Sequence, residues 1–189
     1  MLTINTKTGL IDDARQVPSP NCDDRPPDCE PELIIIHGIS LPPGEFGGPY
    51  IDHLFTNSLD PDEHPYFAEI VEARVSSHLL IERNGQVVQY VPLHRRAWHA
   101  GQSCFHDREC CNDFSIGIEL EGTDIDDYTD AQYDSLCDVV QALRTAFASL
   151  ERAPIVGHSD VAPGRKTDPG PAFDWARFEH RLGRSEVKA

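Results

Sequence analysis

Two histidines and one aspartate are the residues of this sequence whose types and positions could bind a metal ion. His37 and His158 each follow a short apolar run, and Asp168 lies ten positions after His158 in RKTDPGP. The ends of predicted strands are where open α/β sheets place reactive groups. Two imidazoles and one carboxylate form a three-ligand zinc set that leaves a fourth position to water. Such a site provides hydroxide near neutral pH, since zinc lowers the pKa of water to about 7.

Taken one at a time, these three residues have ordinary explanations. The chain contains nine histidines, and most histidines in a protein are plain surface or core residues. An aspartate before proline, as in Asp168-Pro169, is commonly part of a turn. Separation along the chain does not show that residues meet in space. The residues alone therefore leave a bland α/β domain with scattered histidines as an open alternative.

A second pair of residues could supply acid, base and charge to the same reaction. Glu119 lies on a predicted strand and could take a proton from water as a general base. Glu121 shares its face and is a rival for that role, and a lone glutamate is more often exposed to solvent. Lys166, two residues before Asp168, could stabilise an oxyanion, although a surface lysine is the ordinary interpretation.

Short apolar runs bounded by turn residues predict the strands that position these candidates. The predicted strands are 33–36, 74–81, 86–91, 114–120 and 154–156. Asn84-Gly85 lies between the second and third and is typical of a hairpin turn. In FSIGIEL at 114–120, alternation places the isoleucines and leucine on one face. Gly117 and Glu119 lie on the other face, where glycine allows another group to approach the backbone closely.

Helix signals complete the architecture. Residues 50–56 predict a short helix after a Pro- and Gly-rich loop at 41–49. Residues 129–150 carry an apolar stripe at helical spacing, and Thr129 with Gln132 matches a capping box. Residues 173–183 predict a closing helix that ends at Gly183. We expect one α/β (α+β) domain over 1–189, with a central mixed sheet flanked by helices. Its irregular lead-in covers about 1–32, and a short tail covers about 184–189.

Composition limits the partners and the compartment. The formal net charge is -16, and a surface this acidic repels nucleic acid and anionic membranes. The N-terminal residues lack the apolar core of a signal peptide, so we expect a cytoplasmic protein. None of the six cysteines forms a CxxC pair, which favours free thiols over a zinc finger or a disulfide framework.

Several long motifs resemble one family of zinc amidases. These motifs are LIIIHGISLPPGEFGGPYIDHLF, RVSSHLLIERNGQVVQYVP, RAWHAG, CNDFSIGIELEGTD, YTDAQY and GHSDVAPGRKTDPGPAFDW. They are similar to the N-acetylmuramoyl-L-alanine amidase and peptidoglycan recognition protein family, and within it to the cytosolic 1,6-anhydro-N-acetylmuramyl-L-alanine amidases of the AmpD type. The resemblance covers about residues 17–178 and implies the peptidoglycan-recognition-protein-like amidase fold.

The resemblance assigns a role to each candidate residue. It implies that His37, His158 and Asp168 hold one zinc ion per chain, with Glu119 as the general base and Lys166 as the transition-state stabiliser. The implied substrate is a small soluble anhydro-muramyl peptide from peptidoglycan recycling. The implied reaction separates the lactyl group of the sugar from L-alanine. A non-catalytic muropeptide sensor is the alternative, although such relatives typically lack a metal ligand.

Two positions depart from the family pattern, and three residues are candidates for substrate binding. Gly38 stands where members typically have Asn, and Cys110 stands where they often have Arg. Arg108, two positions earlier, either replaces that arginine or leaves a weaker contact. Arg74 could pair with a stem-peptide carboxylate, and Trp98 could pack against the substrate. A structural salt bridge or core packing explains Arg74 and Trp98 equally well, and the sequence does not give the oligomeric state.

Overall fold

A computed structural model describes residues 2–186 of the chain and the side chains of residues 2–183. The strands are β1 (Ile4–Asn5), β2 (Leu10–Ile11), β3 (Arg15–Gln16), β4 (Cys22–Asp23), β5 (Leu33–Ile39), β6 (Leu79–Ile81), β7 (Val87–Gln89), β8 (Arg96–Ala97), β9 (Cys104–Phe105), β10 (Arg108–Glu109), β11 (Ser115–Glu121) and β12 (Ile155–Gly157). The α-helices are α1 (Tyr50–Phe55), α2 (Pro65–Ile70), α3 (Asp130–Ala146), α4 (His158–Val161) and α5 (Trp175–Glu186). Two short 3-10 helices span Cys111–Asp113 and Ala148–Leu150.

A mixed sheet of six strands forms the centre of the fold, in the order β12-β5-β11-β6-β7-β3. The strands β12, β5, β11 and β6 are parallel to their neighbours, whereas β7 is antiparallel to β6. The strand β3 pairs in parallel with β7 at the sheet edge. The fold prediction of a single central mixed sheet with flanking helices is therefore confirmed.

The two faces of the sheet pack differently because alternate side chains of each strand point in opposite directions. On one face, Ile34, Ile36, Ile116 and Ile118 form a buried core with the apolar stripe of α3. The other face carries smaller clusters. Leu33, Ile35, Phe114 and Val161 form one of them, near the N-terminal end of β5. Following this second face toward the ends of the parallel strands leads to His37.

Register brings His37 and Glu119 together at that end of the sheet. They are paired positions on the neighbouring parallel strands β5 and β11, so both side chains lie on the same face. The strand β12 pairs with the other edge of β5 and ends at Gly157. His158, the next residue, begins α4. Three adjacent parallel strands thus deliver two histidines and a glutamate to one edge.

The boundaries differ from the sequence predictions where backbone hydrogen bonds extend or interrupt an element. The strand β5 continues past His37 to Ile39 because its last residues pair with Leu120 and Glu121. The helix α3 has the predicted capping box but ends at Ala146, where Phe147 adopts an extended backbone. The hairpin strands are shorter than predicted, at three residues each.

The chain ends also differ in detail from the expected coil. The segment 1–32 contains four two-residue strands, one of which joins the central sheet. Gly183 does not terminate α5, which continues to Glu186, because Gly183 does not adopt the positive φ that a C-terminal cap requires. The remainder of the predicted tail, 187–189, lies outside the described residues. Within residues 2–186, no helix is both long and apolar enough to cross a membrane.

Candidate metal centre

The structure brings His37, His158 and Asp168 together, in the grouping that the family resemblance implies. His37 Nδ1 lies 2.9 Å from His158 Nδ1. Asp168 Oδ2 lies 3.0 Å from His158 Nδ1 and 3.3 Å from His37 Nδ1. With ligand bonds of 2.0–2.2 Å, two ligands of a tetrahedral zinc ion stand about 3.3 Å apart. The three atoms therefore have nearly the spacing of three corners of a zinc tetrahedron.

The hydrogen bonding of His158 leaves its inward nitrogen without a proton. His158 Nε2 lies 3.1 Å from the carbonyl oxygen of Ala100. A carbonyl oxygen only accepts hydrogen bonds, so Nε2 is the nitrogen that carries the proton of the neutral ring. The lone pair of Nδ1 consequently faces His37 and Asp168. A fixed tautomer of this kind is typical of a metal-ligating histidine.

The charges of the three ligands also suit a cation. Burial lowers the pKa of His37 to about 4, although the Asp168 carboxylate acts against this shift. Burial would raise the pKa of Asp168, but the two imidazoles beside it lower that pKa well below its ordinary value. A neutral buried ring and a charged carboxylate are the forms that bind metals. These three residues therefore could hold a metal ion.

Glu119 lies beside the three ligands as a buried carboxyl group with an unused oxygen. Its Oε1 is 4.0 Å from His37 Nδ1, and its Oε2 has no hydrogen-bond partner among the described residues. Burial, reinforced by the nearby Asp168 charge, raises the pKa of Glu119 well above its ordinary value. A buried carboxyl oxygen without a partner is costly, so its position favours a reactive role over a structural one.

Glu121 lies on the same face of β11 as Glu119, but its hydrogen bonds distinguish it from Glu119. Its Oε1 accepts a hydrogen bond from the backbone nitrogen of Gly47 at 2.5 Å, and its Oε2 accepts one from Arg83 at 3.1 Å. Both oxygens are therefore engaged: Oε1 fastens the loop 41–49 to the end of β11, and Oε2 binds the backbone of the turn between β6 and β7. This arrangement supports Glu119 over Glu121 as the base.

Lys166 lies in the exposed turn after α4, where its backbone nitrogen donates to Ala162 O at 3.0 Å. Its positive charge reaches the buried centre, because it counts among the groups that lower the pKa of His37 and of Glu119. The predicted stabilising role of Lys166 remains a prediction that this placement supports.

Tyr128 is a residue near the centre that the sequence did not single out. Its hydroxyl donates a hydrogen bond to Pro169 O at 3.0 Å, directly after the ligand Asp168. Glycines make room for it, because a Cβ on Gly38 would lie 2.5 Å from Tyr128 Oη and one on Gly122 would lie 2.4 Å from the ring. The glycine at position 38, where family members typically have Asn, therefore leaves the space that the Tyr128 side chain occupies. In the sequence, Gly38 and Gly122 were the only indication of this packing.

The three predicted substrate-binding residues have structural partners in the described part of the chain. Arg108 donates to Glu32 at 2.9 Å and to Cys29 at 3.2 Å, and its guanidinium stacks on Phe114. The exposed Arg74 donates to Val71 O at 3.0 Å. Trp98 is half-buried, and its side chain forms a hydrogen bond with Asp23. The substrate role of all three remains a prediction.

Four cations, Arg95, Arg96, Arg165 and Lys166, lie close in sequence to His99 or Asp168. Two of these cations are neutralised locally. Arg96 pairs with Asp23 and Asp113, and Arg95 pairs with Asp24.

A pocket of about 390 Å³ lies between α4 and the β9–β10 ribbon. It is lined by Gln102, Ser103, Cys104, Glu109, Cys110, Val161, Ala162, Pro163 and Arg165. Arg165 donates to Ala100 O at 2.5 Å, the carbonyl that also fixes His158. The pocket is therefore connected to His158 only through Arg165 and Ala100 O, and Cys110, where the family often has arginine, is part of its wall.

Comparison with known proteins gives the same result for sequence and structure. Residues 27–171 match the family N-acetylmuramoyl-L-alanine amidase. The chain is 59% identical to the 1,6-anhydro-N-acetylmuramyl-L-alanine amidase AmpD of Enterobacter cloacae, covering 96% of this chain and 97% of the relative. A crystal structure of a selenomethionine derivative of AmpD aligns with a TM-score of 0.90 and 58% identity, covering 94% of this chain and 97% of that one.

A more distant solved structure contains a substrate. It is the complex of the Escherichia coli amidase AmiD with anhydro-N-acetylmuramic acid-L-Ala-D-gamma-Glu-L-Lys, with a TM-score of 0.57 and 28% identity. The alignment covers 83% of this chain and 60% of that one. A muropeptide is thus the ligand of a structural neighbour.

Proposed function

Because this chain belongs to the N-acetylmuramoyl-L-alanine amidase family, we propose that it is a zinc-dependent amidase acting on small 1,6-anhydro-muramyl peptides. The bond cleaved joins the lactyl group of the sugar to L-alanine. The observation that carries the proposal is the convergence of His37, His158 and Asp168 beside the unpartnered carboxyl of Glu119. Ligands and base lie within one buried cluster at the sheet end.

The three ligand atoms would hold the zinc ion, one per chain. When bound, zinc supplies Lewis-acid chemistry: it polarises a carbonyl oxygen and brings the pKa of water to about 7. His158 contributes an unprotonated Nδ1, fixed by its bond to Ala100 O, and Asp168 contributes a charged carboxylate. The chain thus provides a neutral pair of imidazoles with a single negative charge.

Glu119 would move the proton that hydrolysis requires. As water adds to the amide carbon, the carboxylate of Glu119 accepts its proton, and the same group then passes the proton to the departing nitrogen of L-alanine. The carbon–nitrogen bond breaks, leaving a lactyl carboxylate and a free amine. Burial raises the pKa of Glu119 in the metal-free site, and the charge of a bound cation would favour the carboxylate form that accepts the proton.

Lys166 would stabilise the negative charge that develops on the carbonyl oxygen. Its charge already acts on His37 and Glu119 across the cluster. In the unliganded arrangement it lies in an exposed turn, where an incoming substrate can reach it. We assign Lys166 a role in stabilising the transition state rather than in holding the metal ion.

We place the peptide portion of the substrate in the pocket that is connected to His158 through Arg165 and Ala100 O. It adjoins Ala100 and α4, and Arg165 gives it a positive charge near its wall. The AmiD ligand contains a D-gamma-Glu residue, whose free carboxylate is the type of group that arginine binds. Arg74, Trp98 and Arg108 are further proposed contacts.

The cysteines support a cytoplasmic location. All six, Cys22, Cys29, Cys104, Cys110, Cys111 and Cys137, are free thiols in the structure. Free thiols that include exposed ones are typical of proteins in a reducing compartment. We therefore place the reaction in the cytoplasm, on soluble wall fragments.

Mass spectrometry of the products from anhydro-muramyl tripeptide tests this function. We expect free tripeptide and anhydro-N-acetylmuramic acid from the untreated protein, no products after chelation, and recovery on adding zinc. Uncleaved anhydro-muramyl tripeptide that remains bound to zinc-loaded protein would instead identify a binding module. Products that persist unchanged after complete metal removal would contradict the zinc assignment. Glu119→Gln is the matched variant, because it preserves volume and should retain zinc while losing turnover.

A further inference from the structure

His99 connects the proposed ligand His37 to a hydroxyl on the central sheet. His37 Nε2 lies 2.9 Å from His99 Nδ1. On the far side of the same ring, His99 Nε2 lies 3.2 Å from Ser115 Oγ. Ser115 Oγ in turn lies 2.6 Å from the carbonyl oxygen of Cys111. These contacts form a continuous hydrogen-bond chain that ends at a backbone carbonyl.

The end of the chain fixes the direction of every hydrogen bond in it. The carbonyl of Cys111 only accepts, so the single hydroxyl proton of Ser115 is donated to it. Ser115 Oγ then accepts from His99, which places the proton of the neutral His99 ring on Nε2. His99 Nδ1 is therefore an acceptor, and the His37 nitrogen facing it, Nε2, must be the donor.

From this direction we propose that His99 is a positioning residue that sets the tautomer of His37, so that the Nδ1 lone pair of His37 points at the metal site. The inference rests on the proposed function, since it takes His37 as a metal ligand. It also completes the ligand set, because His158 Nδ1 is already bare through its bond to Ala100 O. Two lone pairs and a carboxylate oxygen then meet without a proton among them, an arrangement that a bound cation stabilises.

The fold holds the His99 ring against the sheet by a close approach to Gly117. A Cβ built on Gly117 would lie 2.4 Å from His99 Nδ1 and 2.5 Å from its Cγ, well inside van der Waals contact. The glycine in the buried strand β11 therefore provides the space that the imidazole occupies. This is the close backbone approach that a glycine within a strand indicates.

The backbone of His99 is held as firmly as its ring. The side-chain oxygen of Asn112 accepts hydrogen bonds from the backbone nitrogens of His99, at 3.2 Å, and Ala100, at 2.8 Å. The guanidinium of Arg25 donates to the carbonyl oxygens of Asn112, at 3.1 Å, and Ser115, at 2.9 Å. One network thus fixes His99, its hydroxyl partner, and the carbonyl of Ala100 that orients His158.

Long-range proton–nitrogen NMR of histidine-labelled protein reads the tautomers directly. At neutral pH, in both metal-free and zinc-loaded protein, we expect the proton on Nε2 of His37 and on Nε2 of His99. Zinc should then shift the Nδ1 resonance of His37 and leave both tautomers unchanged. A proton on Nδ1 of His99, or zinc bound through Nε2 of His37, overturns the inference. The metal-free spectrum reports the tautomers by itself. Failure of the protein to bind zinc would therefore refute the proposed function, while the tautomers would still be measured.

Variants at position 99 separate tautomer control from packing. His99→Asn retains an acceptor close to the place of Nδ1, and we expect it to stay within a few-fold of wild-type zinc affinity. His99→Leu fills similar space without an acceptor and should weaken zinc binding by about 10- to 100-fold, the usual range for partners of metal-ligating histidines. Affinity is measured by chelator competition, with the exposed His180 changed to Leu as the control. Equal affinities for the Asn and Leu variants would refute tautomer control.

Discussion

A side chain at position 38 tests whether Tyr128 needs the space left by Gly38 to pack in the core and to hydrogen-bond the backbone of Asp168-Pro169. A Cβ on Gly38 would lie 2.5 Å from Tyr128 Oη, about 1 Å inside ordinary contact distance. The ring cannot retreat freely, because Gly122 packs on its other edge and the hydroxyl is bonded to Pro169 O at 3.0 Å. Gly38→Ala is therefore expected to strain the core and break this hydrogen bond.

The two costs can be estimated separately. Overpacking a well-filled core costs about 1–3 kcal/mol, and losing a typical buried hydrogen bond costs about 1 kcal/mol. We expect Gly38→Ala to lower the free energy of unfolding by roughly 2–4 kcal/mol. Gly38→Asn should cost at least as much, since it carries the same Cβ.

Urea unfolding of metal-free protein, with chelator present throughout, measures the effect without a contribution from bound zinc. Tyr128→Phe removes the hydroxyl that the new Cβ meets, so Gly38→Ala should be milder by at least about 1 kcal/mol in that background. A Gly38→Ala cost below about 0.5 kcal/mol, or strictly additive single and double variants, would refute the reasoning.

Three further predictions concern the base, the oxyanion and acid stability. Glu119→Gln should bind zinc as wild type and lose about 10²- to 10⁴-fold in kcat; activity near wild type in the peptide-release assay would remove the assigned base. Lys166→Met should lower kcat by about 10²- to 10³-fold with little change in KM, and a rise in KM alone would instead assign Lys166 to substrate binding. Burial lowers the pKa of His78 to about 3, so its neutral form stabilises the fold fully above about pH 6.5 and this stability is lost as pH falls toward 3. The His78 contribution amounts to about 2 kcal/mol between pH 8 and pH 5, and NMR titration of the His78 ring isolates it from the other buried groups; a His78 midpoint near pH 6.5 would contradict the prediction.

The elements that carry the site could be predicted because their signals are local. The apolar runs before His37 and His158 and the alternation around Glu119 are typical of strands, and parallel pairing then brings their ends to one edge. The capping box of Thr129 and Gln132 marks the start of α3, as the structure confirms. Such patterns depend on a few neighbouring residues, so the sequence displays them directly.

The residues around the ligands could not be predicted because their contacts join distant segments. His99 reaches Ser115 and His37 across 16 and 62 positions, and Arg25 reaches carbonyls almost 90 positions away. Glu119 and Glu121 are equivalent by alternation, and they are distinguished by the hydrogen bonds that Glu121 accepts from the backbone nitrogens of Gly47 and Arg83. The predicted close approach at Gly117 is confirmed, whereas the ring that approaches it, His99, cannot be identified from spacing.

Anomalous diffraction at the zinc edge, from crystals of the purified protein, tests the shared metal site most directly. The account predicts one strong peak per chain, bonded to the Nδ1 atoms of His37 and His158 and to the Asp168 carboxylate. A zinc peak held by other residues, or zinc-soaked crystals that show no peak between these three side chains, would contradict it.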